Sequence, residues 1–135
     1  MRSFYVFTQA PDEALSTWLD STAQRTAGTW QWIYPNAARK VLYIELAEDL
    51  YDELEPETAQ ALLDRFGGER PRSICVDVSR NHSAEHDVKA FATAMLRQFG
   101  GVAMDDESDH CWTAEAIEAG DTHHGHRFFG MPGAA

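Results

Sequence analysis

Thr29-Trp30-Gln31-Trp32-Ile33-Tyr34-Pro35-Asn36-Ala37-Ala38-Arg39-Lys40-Val41-Leu42-Tyr43-Ile44-Glu45-Leu46 is the stretch on which the fold turns. Its first six residues alternate. Trp30, Trp32 and Tyr34 point one way, and Thr29, Gln31 and Ile33 the other. Residues 41–46 alternate again, with Leu42, Ile44 and Leu46 on one side and Val41, Tyr43 and Glu45 on the other. Pro35-Asn36 marks a turn between the two runs. This reads as an antiparallel hairpin with a longish loop. A hairpin here argues against a doubly wound parallel sheet, whose neighbouring strands need helical crossovers between them.

Outward from the hairpin the periodicity keeps switching. Residues 3–8 are aromatic and branched and predict a strand. Pro11-Asp12-Glu13 opens a helix, with Leu15, Trp18, Leu19 and Thr22 on one face and Gly28 as its stop. A second helix is expected over 56–66, with Pro56 and Glu57 early and Gly67-Gly68 late. Residues 72–79 hold Ile74-Cys75-Val76-Asp77-Val78, a strand. Ser83 is the expected N-cap of the most periodic helix, in which Val88, Phe91, Ala92, Met95, Leu96 and Phe99 recur and Gly100 closes. A short strand over 101–104 follows, then a return at Cys111-Trp112 and a short helix capped by Thr113 and ended by Gly120. Arg127-Phe128-Phe129 reads as a last short strand or a docked arm. The sum is one α+β domain over 1–135, with a mixed or antiparallel sheet of four to five strands and helices mainly on one face.

The chain has 135 residues, with Lys+Arg 11 against Asp+Glu 22, a formal charge of −11. That balance repels a phosphate backbone and an anionic membrane surface, so neither nucleic acid nor membrane is an expected partner. The charge is also local. Glu45, Glu48, Asp49, Asp52, Glu53, Glu55 and Glu57 lie in one tract, and Asp105, Asp106, Glu107 and Asp109 in another. Together they hold eleven of the acids and no Lys or Arg, so the remainder is balanced. The first tract carries Leu46, Leu50, Tyr51 and Leu54 among its acids, a pattern of structure rather than disorder. Two such surfaces fit a basic protein partner. The candidate contacts are Glu48, Asp49, Asp52 and Glu53, then Asp105, Asp106, Glu107 and Asp109, with Tyr51 or Trp112 as apolar anchor.

His82-Ser83-Ala84-Glu85-His86 matches a zinc-peptidase pattern that needs both histidines on one helical face. His82 precedes the expected cap Ser83, so the tract reads as a polar loop entering a helix. His110 with His123-His124-Gly125-His126, or the carboxylates of 105–109, form the alternative of a small metal-binding protein or metal-dependent hydrolase, and another soluble protein-interaction or regulatory module is a further alternative. No nucleotide-binding or serine-hydrolase motif occurs in the sequence, and neither catalysis nor a cofactor is expected. Cys75 and Cys111 lack metal-type spacing and read as buried free thiols. The N-terminal apolar run is too short for a signal peptide, which sets the expectation of a cytoplasmic protein, a monomer or weak homodimer.

Asp77-Val78-Ser79-Arg80, the helix running to Phe99, Gly101-Val102-Ala103-Met104-Asp105-Asp106 and His110-Cys111-Trp112-Thr113-Ala114-Glu115-Ala116-Ile117 carry a further indication. This region, roughly 71–130, resembles the small immunity proteins of bacterial polymorphic-toxin and contact-dependent inhibition systems. The resemblance implies a compact acidic α/β or α+β chain that neutralises a cognate toxin by direct binding. It names no binding residue. The partner expected on that basis is a basic toxin domain, with a nuclease as the natural fit because its surface must hold phosphates.

Overall fold

The structure is a computed structural model, and it describes residues 2–48, 50–80 and 83–130. Its elements run β1 (Arg2–Thr8), α1 (Asp12–Thr22), β2 (Gln24–Arg25), β3 (Gln31–Asn36), β4 (Arg39–Leu46), a 3-10 turn (Leu50–Glu53), α2 (Pro56–Arg65), β5 (Arg72–Val78), α3 (Glu85–Phe99), β6 (Val102–Asp105), α4 (Ala114–Ala119) and a final 3-10 turn (Phe128–Gly130). The fold is α+β. Among the described residues, six strands form one antiparallel sheet in the order β2-β3-β4-β5-β1-β6.

The hairpin is tighter than its sequence implies. Asn36 pairs with Arg39, leaving only Ala37 and Ala38 in the turn. The Asn36 side-chain carbonyl accepts from Ala38 N at 2.9 Å and Arg39 N at 3.1 Å, so one Asx residue closes it. Pro35 belongs to the strand and not to the turn. It lies beyond the short stretch of β3 that β2 pairs with, where a missing N–H costs nothing. The register shifts by one between Tyr34 and Pro35, and Val41 is the extra residue on β4. The bulge breaks the alternation, so Val41 is buried in the same cluster as Leu42 instead of facing away.

α1, α3 and α4 cover one face of the sheet. Leu15, Leu19, Val88, Phe91, Met95 and Ile117 pack there on Phe4, Val6, Trp32, Ile44, Ile74 and Val76. Phe128 and Phe129 close this core as a docked arm, not as a strand, and Cys111-Trp112 returns only as a single bridge from Trp112 to Ala103. Asp87, in the first turn of α3, is buried and takes Arg39 of β4 at 3.0 and 3.2 Å. Ala84 occupies the N-cap of α3 without a side-chain cap, so Ser83 stands one residue too early for that role. Thr113 does cap α4, its Oγ1 accepting from Ala116 N at 3.1 Å.

The opposite face is only half covered. Leu62 of α2 packs on Phe7, Val102 and Met104, and Leu50, Tyr51, Leu54 and Phe66 join this smaller cluster over β1 and β6. Among the described residues no α-helix covers the β3–β4–β5 half on that side, and the first 3-10 turn borders it at β5. Among the described residues no helix is long and apolar enough to cross a membrane.

Candidate protein-binding face

Strand register decides which side chains share the bare half-face. Ile33 lies opposite Tyr43, Tyr43 opposite Asp77, and Asp77 opposite Ser3. Two residues along, Gln31 lies opposite Glu45, Glu45 opposite Cys75, and Cys75 opposite Tyr5. Directly opposed residues on one face are in side-chain contact range. The floor is therefore two cross-strand rows with two carboxylates and no base. The rows are tied internally: Ser3 Oγ donates to Asp77 Oδ1 at 2.5 Å, and Gln31 Nε2 to Glu45 Oε2 at 3.2 Å.

Two hollows open on this floor and share Glu45 and Asp77. One, of about 620 Å³, runs under the first 3-10 turn, where Glu48, Leu50 and Glu53 form its wall. The other, of about 400 Å³, is more apolar and lies between Ile33, Tyr43 and Thr26. No Lys or Arg lines either. Tyr43 keeps 37% of its surface exposed.

The thiol and phenol in the floor register the negative field. Burial, then Asp77, Glu45 and Glu53, push the Cys75 thiol up to about 12. The Tyr5 hydroxyl is raised by burial and by Cys75, Asp106, Asp77 and Glu53. Tyr5 thus lies within electrostatic reach of both acidic tracts, Glu53 from the first and Asp106 from the second.

The acids named from sequence are placed very differently. Glu48 and Glu53 are exposed at the cleft wall, whereas Asp49 lies outside the described residues. Asp52 meets Arg70 Nη1 at 3.1 Å, while Arg70 also bonds the Glu48 carbonyl at 3.1 Å and covers the Tyr51 ring. Tyr51 is a tie rather than a free anchor, its hydroxyl donating to Ala59 O at 2.6 Å. Asp105 is 5% exposed and accepts from Phe129 N at 2.7 Å and Glu107 N at 3.1 Å. Asp106 takes Arg2 at 2.7 Å and Ser3 N at 3.0 Å, Glu107 lies 3.4 Å from Arg2, and Asp109 accepts from Thr58 Oγ1 at 3.0 Å. The second tract is therefore largely a staple for the sheet end. Trp112 is 2% exposed and offers a partner nothing without unpacking the core. Of the aromatic stripe, Trp32 and Tyr34 face the helices, and only Trp30 emerges, 57% exposed beside Arg25.

His110 and His123 stack in parallel at 4.1 Å, and His110 sits edge-on to Trp112 at 4.7 Å. Burial and the neighbouring His123 push the His110 imidazole below its ordinary range. Among the described residues no three His, Cys, Asp or Glu side chains group as a metal ion requires. His82 of the zinc-peptidase pattern lies outside the described residues. Cys75 and Cys111 are free and half-buried.

The residues that sequence reading missed are Ser3, Tyr5, Tyr43, Glu45 and Asp77 acting together. Their signal is the alternation Ile74-Cys75-Val76-Asp77-Val78 in what proves to be an interior strand, which marks one wet face. Comparison of the chain with protein-family models, with curated proteins and with solved structures finds no significant match.

Proposed function

We propose that this chain is an immunity-type inhibitor that binds and neutralises a basic toxin effector, without turnover of its own. The observation that carries the reading is the acid-walled cleft on the uncovered half-sheet, where Glu45, Glu48, Glu53 and Asp77 converge and, among the described residues, no Lys or Arg lines the cleft. Carboxylates gathered this way on a scaffold with its own core make a negative surface, and a positive surface is its natural complement. A nuclease fits, because a site built to hold phosphates is positive before its substrate arrives. Occlusion by an acidic cleft is then both steric and electrostatic.

The test is co-purification with the toxin domain encoded by the neighbouring gene, followed by stopped-flow association at several salt concentrations. Neutralising Glu48, Asp52 and Glu53 together as Gln, Asn and Gln is expected to slow association about tenfold or more at low salt. The gap should close as the Debye length shrinks toward about 3 Å near 1 M salt. Unchanged affinity and unchanged salt dependence in that variant overturn the reading.

A further inference from the structure

Among the described residues the inner face of the sheet takes three helices, and the outer face has one α-helix, α2, packed over β1 and β6, with the first 3-10 turn beside it. The remaining half of the outer face is a helix-sized vacancy in a layered fold. We propose that a basic amphipathic helix of the partner protein fills it, lying beside α2 as the fourth element of that architecture; this rests on the inhibitor reading above.

Both ends of the vacancy specify the occupant. Toward β3, Ile33 and the exposed Tyr43 line the more apolar hollow, which suits an aliphatic side chain on the helix face that meets the sheet. Toward the 3-10 turn, Glu45, Asp77 and Glu53 line or wall the wider cleft, which suits Lys or Arg on the flank of the same helix. The three strands from β3 to β5 span about 10 Å at the ordinary strand spacing. A helix about 10 Å across lies over such a strip with its flanks at the rims. A second copy of this chain is a poor occupant. Its own face would bring Glu45 and Asp77 against the same carboxylates, a like-charge contact with no base in either hollow to relieve it.

The experiment uses the isotopically labelled full chain and three blocked synthetic peptides of about fourteen residues: Lys/Leu with helical spacing, Lys/Leu strictly alternating, and Glu/Leu with helical spacing. The helical Lys/Leu peptide is expected to shift the amides of Tyr43, Glu45, Cys75 and Asp77. Its binding should weaken about tenfold or more in Glu45→Gln/Asp77→Asn at low salt, and in Tyr43→Ala at all salt concentrations. Glu45→Gln alone, which leaves the Ser3–Asp77 bond intact, guards against an effect of misfolding. Shifts confined to residues 48–53 overturn the helix site and leave the basic-partner reading standing. Tighter binding of the alternating peptide, or concentration-dependent dimerisation that masks the same amides, overturns it in favour of a strand or a second copy. No binding of either Lys/Leu peptide anywhere on the protein removes the basic-partner reading as well.

Discussion

Asp105 shows how far an acidic residue can be from a surface role. Its two carboxylate oxygens take the amides of Glu107 and Phe129 in a nearly closed environment. Removing the acceptor strands two donors, so Asp105→Ala is expected to lower the unfolding free energy by about 2–4 kcal/mol in urea titrations. Its neighbour Asp106 is a charge-sensing staple. Burial pushes that carboxyl up, but the bond from Arg2 and the Ser3 amide outweigh it and hold the group below the ordinary aspartate range. A depressed folded value means stability that is present above the unfolded value of about 3.9 and is lost as pH falls through the folded one. Arg2→Gln should therefore move the acid-unfolding midpoint upward, read by circular dichroism between about pH 5 and pH 2. The run 105–109 reads as a docking surface because its acids are contiguous. Yet Asp105, Asp106 and Asp109 find partners 24, 104 and 51 residues away. Pairing over such separations leaves no local trace.

At the scale of elements, α2 is the member on which the candidate site depends. It is the sole α-helix among the described residues on the outer face. Leu62 seats it on Phe7, Val102 and Met104, and the Tyr51 hydroxyl ties the acid-bearing 3-10 turn to it. Leu62→Ala should cost about 2–5 kcal/mol of stability, with faster amide exchange through residues 50–66 before global unfolding. α1 and α3 were legible because their apolar spacing repeats over whole turns, and α2 and α4 from their end signals, Pro56 with Gly67-Gly68 and Thr113 with Gly120. β3 and β4 were legible as a pair, but Val41 was not, since a bulge puts two consecutive residues on one face and looks like continued alternation. β2 has only two residues, Gln24 and Arg25, too few for any period to show. The docked arm left its side undecided because Phe128 and Phe129 suit a strand as well as a core plug.

For the whole molecule, charge and topology meet on one half-face. Cys75 lies under Glu45, Asp77 and Glu53 with its thiol pushed up to about 12. A thiol is nucleophilic as the thiolate, so the native protein should alkylate slowly at Cys75 with iodoacetamide at about pH 8. Glu45→Gln/Asp77→Asn should speed that reaction, with the modified cysteine located by peptide mass mapping; an unchanged rate would mean the floor is not negatively polarised. The α+β class was readable from the hairpin taken with the helical periods around it, and the acid of the first tract from its run of carboxylates. The site itself was not, because its floor joins β3, β4, β5 and β1, and the sequence never states that β1 lies beside β5. That placement has a consequence for biosynthesis. β1 leaves the ribosome well before its two neighbours, residues 72–78 and 102–105. Until both have emerged, Phe4, Val6 and Phe7 belong to an orphan segment with the aromatic, branched composition of an aggregation nucleus. The sheet therefore cannot settle in chain order: β1 must wait for β5 and β6, and the cleft exists only once β1 has been threaded between them.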